Sequence, residues 1–209
     1  MFRLLCSAMI AFVITSEQAT AQDVRITPEM DAFSVSINGK LIEISRIQDT
    51  SNRLTTEFAK TSRPCPPFCI APITAAPGVA TIGEIEILDF LENNVATGSG
   101  LLVDTRMPEW FVKGTIPGAF NIPYPILEAS NPFRDEILAA LGARAENGAW
   151  NFDGAKELAL FCNGPWCEQS PRAIRALLAI GYPADKLSYY RGGIQMWSLL
   201  GFNLSPSNS

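Results

Sequence analysis

The sequence predicts an α/β fold, a mostly parallel sheet with helices on both faces, carrying a small N-terminal β-hairpin extension. Three observations point there. Short apolar runs at residues 100–103, 158–161 and 187–190 have the length and composition of buried strands. Segments with apolar residues at helical spacing follow or separate them. Strands alternating with helices imply a parallel sheet covered on both sides, because each crossover lays a helix on a face.

The elements follow in chain order. Arg3, an apolar stretch from Leu4 to Ile14, and Ala19-Thr20-Ala21 form a secretory signal with an expected cut between Ala21 and Gln22. That apolar run is too short for a stable bilayer anchor. The mature chain is therefore expected to be exported, periplasmic or secreted, and free of the membrane. Next, Phe33-Ser34-Val35-Ser36-Ile37 and Leu41-Ile42-Glu43-Ile44 flank Asn38-Gly39-Lys40. Asn-Gly between alternating hydrophobics is a strong hairpin signal. Residues 61–80, with Pro64, Pro66, Pro67, Pro72 and Pro77, read as a stiffened connector. Ile82, Ile85, Leu88, Phe90 and Leu91 then suggest a helix, as do residues 133–141, 171–180 and 194–200. The expected organisation is a signal over 1–21, an extension over 22–79, the main domain over 80–204 and a tail over 205–209.

Composition narrows the chemistry. The chain is 47% hydrophobic and 18% charged, with a formal net charge of −5. Removing residues 1–21 takes away Arg3 and Glu17 and leaves that charge unchanged. An acidic chain has no electrostatic footprint for nucleic acid or anionic membranes, so neither is an expected partner. There is no histidine. Ser-His-Asp and Cys-His catalysis are thereby excluded, and any nucleophile must be activated by backbone dipoles or a cation. No metal or other cofactor is expected, since the cysteine spacings do not match zinc knuckles.

The mature chain keeps four cysteines in two close pairs, Cys65-Pro-Pro-Phe-Cys69 and Cys162-Asn-Gly-Pro-Trp-Cys167. Two disulfides are the default in an oxidising compartment, with three connectivities open. Short loops gain little from cross-linking, which points as much to chemistry as to structure. Cys162 follows an apolar strand and precedes a helix. In an open parallel sheet, ligands bind beyond the carboxyl ends of the strands, near helix N-termini. Backbone N–H groups and the helix end there favour a thiolate. Gly164 lets an anion approach the backbone.

Three separate stretches together resemble one family. They are Leu102-Val103-Asp104-Thr105-Arg106 with Glu109-Trp110-Phe111 and residues 114–123; Phe161-Cys162-Asn163-Gly164; and Gly181-Tyr182-Pro183 with Leu187, Tyr190-Arg191-Gly192-Gly193, Trp197 and Gly201-Phe202. Their identity and order resemble the rhodanese-like sulfurtransferase family over residues 80–204. The resemblance implies a rhodanese-like fold and a persulfide cycle. Cys162 would be the catalytic thiol, taking sulfane sulfur from thiosulfate or a persulfide and passing it to a thiol or other nucleophile. Asn163, Gly164, Trp166, Cys167 and Glu168 form the candidate substrate-binding loop. Asp104 and Arg106 match a pair that is a structural support, Glu109, Gly118 and Asn121 look architectural, and Trp197 is expected in the core.

Two departures sharpen the expectation. Phosphatases of related fold place an arginine six residues after the cysteine; Glu168 stands there and would repel a phosphate dianion. The same glutamate puts fast use of thiosulfate in doubt, with Arg172 expected on the helix surface. Cys167 adds a second thiol, a candidate redox partner that could resolve a persulfide at Cys162. Cys65 and Cys69 read as a small structural disulfide or as redox partners of the loop, with Phe68 placed to anchor them. Alternative readings are a thiol–disulfide oxidoreductase using Cys162 and Cys167, and a non-catalytic binding module docking a protein partner through the extension.

Overall fold

The computed structural model describes residues 24–206; the expected signal and its cleavage point lie outside the described residues. Strands β1 (Ala32–Ile37) and β2 (Lys40–Ser45) form an antiparallel hairpin. Asn38 and Gly39 both adopt positive φ, 51° and 77°, the conformation a two-residue turn needs to match the twist of its strands. Phe33, Val35 and Ile37 alternate inward and are buried. The connector that follows has one short 3-10 turn, Glu57–Ala59, capped by Thr56.

Strand β3 (Ala80–Ile82) leads into α1 (Glu84–Phe90), continued by a π turn over Leu91–Val95. The apolar spacing places the start of this helix at Ile82, and the structure corrects it. Three residues are too few for periodicity to register, and pairing with the sheet decides their conformation. Gly83 breaks the chain, and the Glu86 carboxylate accepts from the Gly83 N–H at 3.0 Å. Then come β4 (Gly100–Asp104), α2 (Pro108–Phe111), β5 (Phe120–Asn121) and α3 (Arg134–Ala140). A small hairpin, β6 (Arg144–Glu146) and β7 (Ala149–Asn151), precedes β8 (Glu157–Phe161). The chain closes with α4 (Gln169–Ala179), β9 (Leu187–Tyr190) and α5 (Gly193–Leu199).

The main sheet has five parallel strands in the order β3-β9-β8-β4-β5. Its central strands β9, β8 and β4 are buried on both faces, while the short edge strands β3 and β5 are half-buried or exposed. Within β8, Ala159 and Phe161 face one core together with α1, α5 and the β1–β2 hairpin. Leu158 and Leu160 face the other, with α3 and α4. Trp197 is fully buried in the first core and stacks on Phe202. The hairpin is thus part of the domain core, since Ile44 is also fully buried there.

Register aligns the strand ends. Asp104 lies opposite both Phe161 and Asn121, and Phe161 lies opposite Tyr190. Because the strands are parallel, Thr105, Cys162 and Arg191 all emerge from the same edge. That edge carries the site.

Candidate active site

The floor is built from the first strand end. Arg106 grips Asp104 through Nε at 2.9 Å to Oδ1 and Nη2 at 2.6 Å to Oδ2, with both residues buried. Thr115 Oγ1 donates to the same carboxylate at 2.8 Å, and Arg106 Nη2 also donates to the Gly114 carbonyl. Asn121 Nδ2 donates to the carbonyls of Asp104 and Arg106. These bonds satisfy a buried ion pair and fix the turn after β4. Glu109, by contrast, stands exposed in the first turn of α2.

Cys162 follows β8 directly, and the loop it begins is clamped onto α5. The N–H of Ile194 donates to the Cys162 carbonyl at 3.1 Å, and that of Gln195 to the Asn163 carbonyl at 2.9 Å. Gly193 permits this approach: a Cβ there would overlap the Cys162 carbonyl and sit 2.7 Å from the Gly164 nitrogen. The loop turns back on itself through Cys167 N–H to the Gly164 carbonyl at 2.9 Å. Cys162 and Cys167 are both free thiols and both buried, at 2% and 5% exposure.

The two thiols titrate in opposite directions. Burial works against ionising Cys162, but hydrogen bonds from the Cys167 thiol, the Ser170 hydroxyl and the N–H groups of Ser170 and Gly164 outweigh it. The Cys162 thiol is held below its ordinary range. Ser170 lies in the first turn of α4, so its N–H and the helix end act on the sulfur together. Its Oγ lies 2.8 Å from Thr105 Oγ1, and either hydroxyl can donate; with Thr105 donating, the Ser170 proton is free for the Cys162 sulfur. Burial pushes Cys167 well up, and its hydrogen bond to Cys162 and the Cys162 charge add to that. Of the pair, Cys162 is the thiol that ionises more readily, and Cys167 the one held protonated.

The sequence alone does not single out Ser170, and it offers Thr105 only as part of the stretch around Asp104. The only signal was a hydroxyl residue in the first turn of the helix after the cysteine, which also fits an ordinary helix start.

A cleft of about 270 Å³ opens beside the pair. Asn163, Trp166, Cys167, Glu168 and Gln169 line one side, with Trp110, Tyr124 and Arg172 around them. Pro67 and Phe68 of the connector complete the wall. Phe68 meets Trp166 edge-on at 5.6 Å, and the Arg63 guanidinium lies over the Trp166 ring at 4.0 Å. The connector is bonded to the loop as well: Ala71 N–H donates to the Pro165 carbonyl at 2.7 Å, and Gln195 Nε2 to the Phe58 carbonyl at 3.1 Å. Cys65 and Cys69 are joined to each other, with Cα atoms 4.6 Å apart, and not to the loop thiols. A larger cavity, about 810 Å³, lies between β2, the segment around Pro117 and the segment around Leu204. No cysteine lines it, so the chemistry belongs to the smaller cleft.

The cleft is close to electrically neutral. Arg172 stays on the helix surface as expected, its side chain 47% exposed, yet it also borders the cleft, stacking over Tyr124 at 4.5 Å and pairing with Glu128 at 2.5 Å. That pairing neutralises it. Arg63 pairs with Glu57 and Glu168 with Arg175. Two buried acceptors, Asn163 Oδ1 and Gln169 Oε1, have no partner among the described residues. They can receive N–H groups of a ligand. Among the described residues no group of three or more His, Cys, Asp or Glu could hold a metal ion.

Residues 88–200, more than half of the chain, match the family model of the rhodanese-like domain. No curated protein matches the chain. Several solved structures resemble the fold. The human single-domain sulfurtransferase is 24% identical, covering 58% of this chain and 96% of its own, with a TM-score of 0.39. A Saccharomyces cerevisiae single-domain sulfurtransferase is 20% identical over 59% of this chain and 91% of its own, with a TM-score of 0.40. A Rhodopseudomonas palustris protein described as a possible tyrosine phosphatase is 18% identical over 63% and 88%, with a TM-score of 0.45. With the matched segment running from α1 through the Cys162 loop to the last helix, the chain belongs to the rhodanese-like domain family.

Proposed function

We propose that this protein is an exported sulfurtransferase that moves sulfane sulfur through a Cys162 persulfide. The carrying observation is the state of Cys162: a thiol at a strand end, held low by the Ser170 and Gly164 N–H groups and the neighbouring hydroxyl and thiol. A thiolate is the nucleophile that sulfur transfer requires, and no histidine is needed to make it. The same N–H groups suit the terminal sulfur of a bound persulfide anion. The donor is a small sulfane-sulfur compound and the acceptor a thiol. Arg172 and Arg63 are already paired with carboxylates, which works against a dianion such as thiosulfate. A persulfide carrying at most one charge on its sulfurs is therefore the better donor.

Intact-mass and peptide analysis after exposure to a donor provides the test. Cys162 is expected to gain one sulfur atom, and Cys162→Ser to gain none. No gain with thiosulfate, polysulfide or glutathione persulfide, and no sulfide formed from any of them, would sink the reading. Analysis of the unreduced secreted protein also reports whether the chain begins at Gln22.

A further inference from the structure

Cys167 has no part in simple sulfur relay, yet its placement is specific. It forms the cleft wall beside Asn163 and Trp166, while Cys162 lies behind that wall. The Cys162 thiol reaches the Cys167 carbonyl at 3.4 Å, and both sulfurs share one buried cluster with Trp166. Phe58 and Phe68 of the connector pack on that cluster. An external acceptor must pass this aromatic wall to reach a sulfur that is 2% exposed. A thiol already inside the wall has the advantage of proximity.

We propose that Cys167 is a resolving thiol, so that the site reduces a persulfide to sulfide and is left as a Cys162–Cys167 disulfide. The inference rests on persulfide formation at Cys162. In the first step the Cys162 thiolate attacks the terminal sulfur of R–S–SH; the new S–S bond forms as the donor's S–S bond breaks, and R–S⁻ leaves. In the second, the Cys167 sulfur attacks Cys162 Sγ. A Cys162–Cys167 bond forms, the bond from Cys162 to the transferred sulfur breaks, and that sulfur leaves as HS⁻, taking the Cys167 proton to become H₂S. Two electrons pass from the two cysteines to the departing sulfur. A further turnover needs an external dithiol to reduce the disulfide by exchange.

The order of events follows from the electrostatics. Burial, and after it the hydrogen bond to Cys162 and the charge of an ionised Cys162, keep Cys167 protonated. Sulfur loading removes that charge from Cys162, because it departs with R–S⁻. The electrostatic part of the hold is then released, and Cys167 is a better nucleophile once there is a persulfide to resolve.

The test uses the full chain with its loop thiols reduced, a single addition of polysulfide or cysteine persulfide, and no added thiol. The wild type is expected to release a stoichiometric amount of sulfide, with a Cys162–Cys167 peptide pair in the unreduced map. Cys167→Ser and Cys167→Ala are each expected to load more slowly, to keep the extra sulfur on Cys162, and to release sulfide only after a dithiol is added. Wild type that retains the persulfide with Cys167 free would overturn the inference and leave sulfur transfer standing. Equal sulfide release by the variants would do the same. If no form takes up sulfur or makes sulfide, persulfide formation fails, and this inference with it.

Discussion

Two thiols five residues apart in one turn differ because different groups surround them. Cys162 receives hydrogen bonds from the Cys167 thiol and the Ser170 hydroxyl besides two backbone N–H groups, whereas Cys167 has only the N–H groups of Asn163 and Gln169, which burial and the neighbouring Cys162 outweigh. The Ser170 hydroxyl is the part of that set a mutation can remove without touching the backbone. Ser170→Ala is expected to move the pH profile of sulfur loading toward alkaline pH. The sign follows from the direction of the shift: a bond that favours the thiolate lowers the pKa, so its loss raises it. A hydrogen bond to a charged group is worth about 1.5–3 kcal/mol, so loading on the acid side should slow by roughly ten- to a hundredfold. On the alkaline plateau the variant should match the wild type, as Cys162 is then ionised in both. A uniform loss at every pH would show that Ser170 serves only packing with Thr105. The contrast between this residue and Cys162 explains what was legible here. A cysteine after a buried strand announces itself, whereas a serine in a first helical turn reads the same whether it faces water or sulfur.

The connector contributes more to the site than its irregular sequence suggests. It has little regular structure, yet Phe68 packs edgewise on Trp166, and Ala71 is bonded to the Pro165 carbonyl. An aromatic pair of this kind is worth about 0.5–1.5 kcal/mol beyond the area it buries. Phe68→Ala should therefore populate an open cleft roughly two- to tenfold more. Alkylation of the reduced loop thiols by iodoacetamide under native conditions measures this, since Cys65 and Cys69 are joined and do not react. An unchanged rate would mean that the segment does not gate the sulfurs. The elements divide in the same way as the residues. The Asn38-Gly39 hairpin and strands β4, β8 and β9 were readable because short-range patterns specify them. β3 and β5, of three and two residues, exist only through pairing with neighbours distant in sequence. The β6–β7 hairpin did carry a signal, an Asn147-Gly148 turn with φ of 53° and 80°, but its strands are too short and exposed to show alternation. Contacts between the connector and the loop join residues more than ninety apart, and no local pattern encodes such a contact.

The division into an extension and a domain, natural in the sequence, changes meaning in the folded molecule. The family match spans residues 88–200, and β3 and the β1–β2 hairpin lie before it. Yet Phe33, Val35, Ile37 and Ile44 belong to the same core as α1, α5 and the inner face of the sheet. Gly118, in the segment leading to β5, would place a Cβ 3.1 Å from Ile37 Cδ1, so hairpin and domain meet closely. Fully burying an aliphatic or aromatic side chain stabilises by about 1.5–3 kcal/mol, which gives the four residues roughly 6–12 kcal/mol together. The net stability of an ordinary domain is about 5–15 kcal/mol. A chain starting at residue 80 therefore loses an amount comparable to its whole stability, and it also uncovers the apolar face of α1 and α5. Such a truncated chain is expected to lack a cooperative unfolding transition in urea, followed by tryptophan fluorescence, under conditions where residues 22–209 show one. A truncated form with an unchanged midpoint would return the hairpin to the status of an appendage. The milder change Ile44→Ala separates burial from chain length. It should cost about 2–5 kcal/mol and move the midpoint without altering the dependence on denaturant, because the surface exposed on unfolding stays nearly the same.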